Sequence, residues 1–232
     1  MAKNKFSFST LLVFIKRMMI FFFASTLLVV LLFIYFNPPL TPLMLVRCVG
    51  NMLSAETPEI QKRWIPIDSI SPNLIQAVIA SEDNNFQDHW GFDFEAIKKA
   101  SKLNEKGGRM RGASTISQQT AKNVFLWPDR TWVRKGFEVY FTCMIEVCWS
   151  KKRIMEVYLN VIEMGEGIYG AEMAAQTFFH KSAKNLNRNE AALIAAVLPN
   201  PRKWHPDTPT AYIKNKQQKI LQAMIKVGKV EF

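Results

Sequence analysis

Cysteine and histidine are scarce in this sequence, with three of each among 232 residues. Cys48, Cys143 and Cys148 are odd in number and lack the spacing of metal ligands, so we expect neither a structural disulfide nor a zinc site. The helical pattern around Cys143 and Cys148 predicts packed thiols. No nucleophilic triad and no phosphate-binding glycine motif is present, so the sequence does not point to either of those chemistries.

Strand-like alternation of apolar and polar residues is also missing, and no repeat or low-complexity tract occurs. The exported part is therefore predicted to be a single all-α domain. Acidic residues are absent before residue 37, and the whole chain carries a net charge of +11. Such a basic balance indicates a nucleic acid, an anionic membrane surface or a phosphate-bearing substrate as the partner.

An apolar run without charge occupies residues 18–36 and is long enough to span a bilayer as a helix. The cations that precede it are Lys3, Lys5, Lys16 and Arg17. They predict a cytoplasmic amino terminus and an exported remainder. A cleaved signal peptide is the alternative, but its apolar region would be shorter, and Asn37-Pro38-Pro39 does not resemble a cleavage site. We therefore predict an uncleaved anchor, which argues against a nucleic-acid partner.

Residues 40–53 are apolar apart from a few positions, and Arg47 carries their only charge. They belong either to the core or to the membrane surface, and their position just after the anchor favours the membrane. Further along, Pro66 restricts Ile65 to extended backbone and predicts a short extended piece at residues 64–67.

A helix with a carboxylate at its inward end is predicted before residue 83. Ser71 has the features of an N-cap and Pro72 those of a first helical residue. The apolar positions of this helix are Leu74, Ile75, Val78 and Ile79. One more turn along that stripe lies Glu82, whose burial costs free energy unless the carboxylate is paired or used. The alternative is that the Glu82 side chain points into solvent.

A second carboxylate falls on the apolar face of a longer predicted helix. Thr131 is its expected cap, and the helix should run to about residue 149. Arg134 and Glu138 are four residues apart and share a face with Phe141, Ile145 and Cys148. An ordinary helix ion pair is the alternative explanation for this glutamate.

Between these helices, residues 105–112 form a basic glycine-containing loop, which is either a lid over an anionic substrate or a solvated connector. Ser114 or Thr115 then caps a helix that carries Lys122 two turns in, with Gln118 or Gln119 closing a capping box.

Further helices are predicted over 94–104, from Ser150 to Gly165, over 171–179 and 191–198, and from about 212 to 228. Three cations begin the helix after Ser150, and they require an anion or acidic neighbours there.

Two inward carboxylates and a group of cations are therefore the candidate chemistry. Two acids are typical of glycoside hydrolysis, but cleavage of an uncharged glycan does not need the surrounding cations. A sugar that leaves as a diphosphate does need them, because negative charge develops on the departing phosphate. The cations in question are Lys122, Arg130, Arg134 and Lys135.

Five segments in order resemble the motifs of glycosyltransferase family 51, specifically its monofunctional biosynthetic peptidoglycan members. The segments are 82–93 (Glu-Asp-x-x-Phe-x-x-His-x-Gly-x-Asp), 112–123, 134–138 (Arg-Lys-x-x-Glu), 152–160 and the more degenerate 170–199. Their order and number make the resemblance more specific than any single motif. A lytic enzyme that cuts finished glycan in the same kind of cleft is the alternative function.

The resemblance implies a role for each candidate residue. Glu82 would be the general base that takes the proton from the acceptor's 4-hydroxyl, and Glu138 would be the second essential acid. Lys122 and Arg130 would contact the donor diphosphate. His89 is expected to be structural, because the role of base is already filled. The other substrate-binding candidates are Arg134, Lys135, Gln119, Asp83, Ser114 and Thr115.

The resemblance also implies an all-α, lysozyme-like helical domain with a small membrane-associated jaw, preceded by one N-terminal transmembrane helix. The expected parts are a cytoplasmic basic tail (1–17), an anchor (18–36), a juxtamembrane jaw segment (37–56) and a glycosyltransferase domain (57–232). Implied partners are the bilayer, lipid II and the growing lipid-linked glycan chain, with the catalytic domain periplasmic at a bacterial inner membrane. No cofactor is certain: a divalent cation (Mg²⁺ or Mn²⁺) is left open, as are cell-division or elongation proteins as partners.

Overall fold

The computed structural model describes residues 8–53, 60–105, 114–129 and 131–232. The chain forms two compact units, Met1–Asn37 and Pro38–Phe232. In the first unit, helix α1 (Phe8–Tyr35) begins well before residue 18 and is long and apolar enough to cross a membrane. Among the described residues it is the only such helix.

Nine further α-helices follow in the described part of the second unit. Their bounds are α2 Pro42–Leu53, α3 Pro72–Glu82, α4 Phe94–Glu105, α5 Ile116–Phe125, α6 Trp132–Cys148, α7 Lys151–Val161, α8 Ala171–Phe179, α9 Arg188–Val197 and α10 Ala211–Val227. Single 3₁₀ turns at Ile67–Ser69 and Ala183–Asn185 complete the helical elements. The predicted all-α class is confirmed.

Side-chain caps set the starts of several of these helices, five of them at residues that the sequence predicted. Each capping oxygen accepts a hydrogen bond from a backbone N–H two or three residues further on, which satisfies a donor that the first turn leaves free. The predicted caps are Ser71, Thr115, Thr131, Ser150 and Asn187, and Thr210 caps α10 in the same way. Two of them are full capping boxes, since Gln118 and Glu190 return a side-chain bond to their cap residues.

A small sheet of three strands was not predicted. It consists of β1 (Gln61–Lys62), β2 (Glu163–Gly165) and β3 (Ile168–Tyr169), with β3 in the centre, parallel to β1 and antiparallel to β2. Strands of two or three residues are too short to show alternation, so periodicity could not reveal them. The chain turns into β2 after α7, and that helix therefore ends at Val161 and not at Gly165.

Asn160 joins the end of α7 to the start of the second unit. Its side-chain oxygen accepts from the Ile65 N–H at 2.9 Å, and its amide donates to the Ile65 carbonyl at 2.9 Å. Gly170 approaches the same residue so closely that a Cβ would lie 2.9 Å from the Asn160 carbonyl oxygen. Gly170 also has a φ of +83°, so a glycine is required there on both grounds.

Two groups of helices make the core. Helix α3 packs against α9 and α10, while α5 packs against α6 and α7. The predicted apolar stripe of α3 is buried, with Leu74 and Val78 inaccessible to solvent. The carboxyl end of α3 meets α5, and this junction brings Glu82 to the second group.

Helix α2 has one buried and one exposed apolar face. Met44 is fully buried, whereas Leu45, Val49 and Met52 are at least half exposed. Both alternatives considered for this segment therefore describe part of it: one face belongs to the core, and the other remains available to a membrane.

The basic loop (most of 105–112) and Arg130 lie outside the described residues. All three cysteines are free, but the prediction that Cys143 is packed was wrong, because its side chain is exposed. Cys143 comes five residues after Glu138, which places it away from the buried face of α6. Cys148 is half-buried.

Candidate active site

Glu82 is the last residue of α3 and is half-buried. One carboxylate oxygen, Oε2, accepts from Gln119 Nε2 at 2.9 Å, and the Ser81 hydroxyl lies 3.5 Å from Oε1. The carboxylate borders an open cavity of about 290 Å³ between the end of α3, helix α4 and the start of α5. Residues lining this cavity include Ser81, Glu82, Asp83, Asp93, Ser114 and Thr115. Glu82 is therefore held by the protein and open to a ligand at the same time.

Gln119 stands between Glu82 and a buried tyrosine. Its Oε1 accepts from the Tyr158 hydroxyl at 3.3 Å while its Nε2 donates to Glu82. Burial raises the pKa of Tyr158 well above its ordinary value, and the charges of Glu82 and Asp83 raise it further. The Tyr158 hydroxyl thus keeps its proton and remains a donor.

Asp83 fixes the position of helix α5. The carboxylate is buried, its Oδ1 lies 2.8 Å from His89 Nε2, and its Oδ2 accepts from the Ile116 N–H at 3.0 Å. An acid at the amino end of a helix also interacts favourably with the helix dipole. Both oxygens of Asp83 are thus engaged by protein groups.

Ser114 and Thr115 have different surroundings although they are neighbours. Thr115 is buried, caps α5 and donates from Oγ1 to the Gly91 carbonyl at 2.7 Å. Ser114 is exposed and lines the cavity beside Glu82. Of the two hydroxyls, that of Ser114 is the one available to a substrate.

Glu138 sits in a buried double ion pair on α6. Its Oε2 lies 2.7 Å from Arg134 Nη1, and its Oε1 pairs with Lys135 Nζ. Glu138 and Arg134 are both buried, whereas the Lys135 side chain is 40% exposed. The carboxylate therefore holds two cations in place and leaves one of them facing solvent.

Lys122 brings the two acids into one electrostatic site. Burial is the main cause that lowers its pKa, and the neighbouring charges of Arg134 and Lys135 lower it further. The charges of Glu138 and Glu82 act in the opposite direction. Among residues the structure describes, Lys122 has no ion pair within 4.0 Å, so its ammonium lies near both carboxylates without being bound to either.

Lys216 is a residue that sequence reasoning missed. It lies on α10, donates to the Ala196 carbonyl at 2.9 Å and is half-buried. Burial lowers the pKa of Lys216, and the charge of Glu82 opposes that shift, so this ammonium also acts on the candidate base. The sequence contains a signal for this position, because Lys216 is three residues after Ile213 and four before Ile220. Both isoleucines are buried, so Lys216 lies on the apolar stripe of its helix.

Glu146 is a second residue that was missed. This buried acid accepts from the Ser117 hydroxyl and from Lys151 Nζ, the latter at 2.8 Å. Lys151 also donates to the His89 carbonyl at 2.6 Å. Glu146 therefore ties together α5, α6, α7 and the loop after Glu82. It also supplies one of the acidic neighbours that the cations at the start of α7 require.

Comparisons with known proteins assign the chain to a family. The Transglycosylase family model matches residues 49–225, which is most of the chain. The chain belongs to the transglycosylase family. The resemblance noted from the motifs is thereby confirmed, as is the expected enzyme class, a glycosyltransferase.

Relatives with high sequence identity support the assignment of the chain to this family. The chain is 57% identical over 183 residues to the biosynthetic peptidoglycan transglycosylase of Bdellovibrio bacteriovorus, covering 79% of this chain and 73% of the relative. The protein of that name from Rhodospirillum centenum is 56% identical over 187 residues (81% and 79%). The one from Bacteroides thetaiotaomicron is 57% identical over 190 residues (82% and 77%).

A protein-built metal cage does not fit the described residues. They contain no group of three or more His, Cys, Asp or Glu side chains that could hold a metal ion. Both oxygens of Glu138 already pair with cations, so a metal there would have to displace Arg134 or Lys135.

Proposed function

We propose that this transglycosylase polymerises lipid II into β-1,4-linked glycan strands of peptidoglycan and releases polyprenyl diphosphate. The observation that carries the proposal is the position of Lys122, within electrostatic range of Glu82, Glu138, Arg134 and Lys135. A base beside a cluster of cations suits a reaction in which a hydroxyl loses its proton while a diphosphate leaves. The names of the relatives support peptidoglycan as the product.

In the proposed reaction Glu82 is the general base. It accepts the proton from the 4-hydroxyl of the acceptor GlcNAc, and that oxygen attacks the anomeric carbon of the donor's terminal MurNAc. The bond from this carbon to the α-linked diphosphate breaks, and the bonding electrons leave on the diphosphate oxygen. Attack from the opposite face gives a β-glycoside, so the reaction is inverting. The hydrogen bond from Gln119 holds the Glu82 carboxylate in one orientation.

The proposed diphosphate site uses Lys122 together with Arg130, which lies outside the described residues. Lys122 is half-buried, so its charge acts on an anion with little screening by water. Arg134 and Lys135 add positive charge, and Glu138 fixes both of them through its two oxygens. Glu138 thus acts by orienting cations.

The acceptor is proposed to approach through the open cavity that Glu82 borders. Ser114 offers an exposed hydroxyl there. Asp83, Thr115 and Gln119 hold the walls of this cavity and the base in place.

We further propose that α1 anchors the chain as a single pass in the bacterial inner membrane, with a cytoplasmic amino terminus and a periplasmic catalytic domain. The length and apolar character of α1 support the anchor, and the cations of the amino terminus support the orientation. The exposed apolar side chains of α2 support contact of the jaw segment with the bilayer. Lipid II and the growing chain are the proposed substrates, with cell-division or elongation proteins as further partners and no nucleic acid.

The test is polymerisation of labelled lipid II by the detergent-solubilised full-length chain, with and without a chelator. We expect wild-type protein to form polymer in both conditions and Glu82→Gln to form none. Glu231→Gln, an exposed acid at the carboxyl terminus, is the matched control and should retain full activity. Polymer from Glu82→Gln contradicts the role of the base. Release of soluble fragments from purified sacculi, without polymer from lipid II, would favour a lytic enzyme.

A further inference from the structure

A chain of two hydrogen bonds links three helices behind the candidate base. It runs from the Tyr158 hydroxyl of α7 to Gln119 Oε1 of α5 at 3.3 Å, and from Gln119 Nε2 to Glu82 Oε2 of α3 at 2.9 Å. Tyr158 is fully buried and does not border the cavity beside Glu82. Any influence of Tyr158 on the reaction therefore passes through Gln119.

The amide of Gln119 has a donor end and an acceptor end, and a half-turn about its last bond exchanges them. When Glu82 is ionised, the carboxylate itself selects the orientation with the NH₂ group toward it. When Glu82 has taken a proton, either orientation would suit it, because a carboxylic acid can donate as well as accept. Glu82 alone therefore cannot keep the amide in one orientation through a catalytic cycle.

The Tyr158 hydroxyl removes this freedom. A buried O–H that loses its acceptor costs free energy, and among the described residues the acceptor that Tyr158 reaches is Gln119 Oε1. Turning the amide would leave that hydroxyl without an acceptor, at a cost comparable to a lost buried hydrogen bond. Since Tyr158 keeps its proton, this constraint holds whether Glu82 is ionised or not.

We propose that Tyr158 is a positioning residue for the base: it locks the Gln119 amide so that a donor faces Glu82 throughout the reaction. The proposal rests on the proposed function, since it takes Glu82 to be the base. A fixed donor favours the ionised carboxylate, so it opposes protonation of the resting base and helps Glu82 to release its proton after each transfer.

The test compares Tyr158→Phe with Tyr169→Phe in the full-length chain. Tyr169 is a matched control: it is equally buried, its hydroxyl has no partner among the described residues, and it lies in the small sheet. For Tyr158→Phe we expect kcat to fall about 3- to 10-fold, as for loss of one net hydrogen bond. KM should change less than about twofold, and the acid limb of the kcat–pH profile should move to higher pH. Tyr169→Phe should leave kcat and the profile unchanged.

Two outcomes separate this proposal from the proposed function. If Tyr158→Phe keeps the wild-type kcat and pH profile while Glu82→Gln is inactive, the positioning role of Tyr158 is wrong, but the assignment of Glu82 as general base is supported. If Glu82→Gln is active, the base itself is wrong.

A second variant covers misfolding of Tyr158→Phe. Gln119→Leu removes the amide and should shift the acid limb in the same direction. If Tyr158→Phe folds, adding it to Gln119→Leu should cause no further loss of kcat, because the two residues act through one chain of hydrogen bonds. Multiplicative losses, or an unshifted profile in Gln119→Leu, overturn the proposal.

Discussion

Arg134 precedes Glu138 by one turn of α6, and its Nη1 lies 2.7 Å from Glu138 Oε2. Both side chains are buried. Burying two charges costs solvation free energy that their attraction recovers only while both partners are present. The pair is the helix ion pair considered as the simple explanation for Glu138, but it is buried. It supplies the rigid frame on which Lys135 is held beside the proposed diphosphate site.

Removal of the acid from this pair should destabilise the protein. Glu138→Gln leaves the Arg134 guanidinium buried without its counter-charge, and we expect the free energy of unfolding to fall by about 3 kcal/mol. Lys135→Met is the comparison, because its partly exposed ammonium is screened by water and its loss should cost less than about 1 kcal/mol. Chemical denaturation measures both. Equal stability losses in the two variants would contradict the unequal roles of these cations.

The alkaline limit of activity should depend on Lys122. Burial lowers the pKa of Lys122, so it loses its charge at a lower pH than an exposed lysine does. Because the charge is present below that pKa and absent above it, KM for lipid II should rise as the pH increases. Lys122→Arg keeps its charge throughout this range, since an arginine is always protonated in proteins. The rise in KM should then move to higher pH, even if kcat falls because the guanidinium fits poorly. An unmoved alkaline limb would assign it to another group.

Turnover should respond to Lys216. Its half-buried ammonium interacts with the charge of Glu82, which opposes the lowering of the Lys216 pKa by burial. For Lys216→Gln we therefore expect kcat/KM to fall, because the candidate base loses a neighbouring cation. Lys219→Gln removes an exposed cation from the same helix and serves as the control for net charge. Equal losses in both variants would show a general charge effect instead of a local one.

Two glycines should respond oppositely to alanine. Gly91 has a φ of +79°, and a Cβ there would lie 2.7 Å from Thr142 Cγ2 and 2.9 Å from Glu146 Cγ. Gly91→Ala should therefore destabilise the protein by about 1–3 kcal/mol. Gly136, in α6, has open space around its Cβ position, and Gly136→Ala should stabilise by about 0.5–1 kcal/mol. Thermal unfolding of the two variants checks the signs.

Local features of the sequence were sufficient to predict most of the helices. Ser71 and Thr131 mark helix starts because a capping side chain and the apolar stripe after it act within one or two turns. The inward position of Glu138 followed from the same stripe. These signals act over a few residues, and a single sequence contains them.

Long-range relationships could not be read in this way. The bond from Asp83 to the Ile116 N–H, and the bond from Gln119 to Glu82, join residues more than thirty positions apart. Periodicity reports the face on which a side chain lies but not the element it meets. Lys216 was missed for a different reason: a lysine on an apolar stripe usually extends its charge into water, whereas this one bonds a carbonyl of α9.

The pairing of Asn160 with Ile65 has a consequence for the order in which the molecule can form. The two residues are 95 positions apart, and β1 finds its partner strand, β3, at a similar separation. Because synthesis proceeds from the amino terminus, residues 60–65 leave the ribosome long before residues 160–169. They therefore remain unpaired until most of the chain has been made. Such late closure is slow and leaves an open edge in the meantime. Substitutions at Asn160 or Gly170 should therefore show themselves first as a lower yield of mature protein, before any change in turnover.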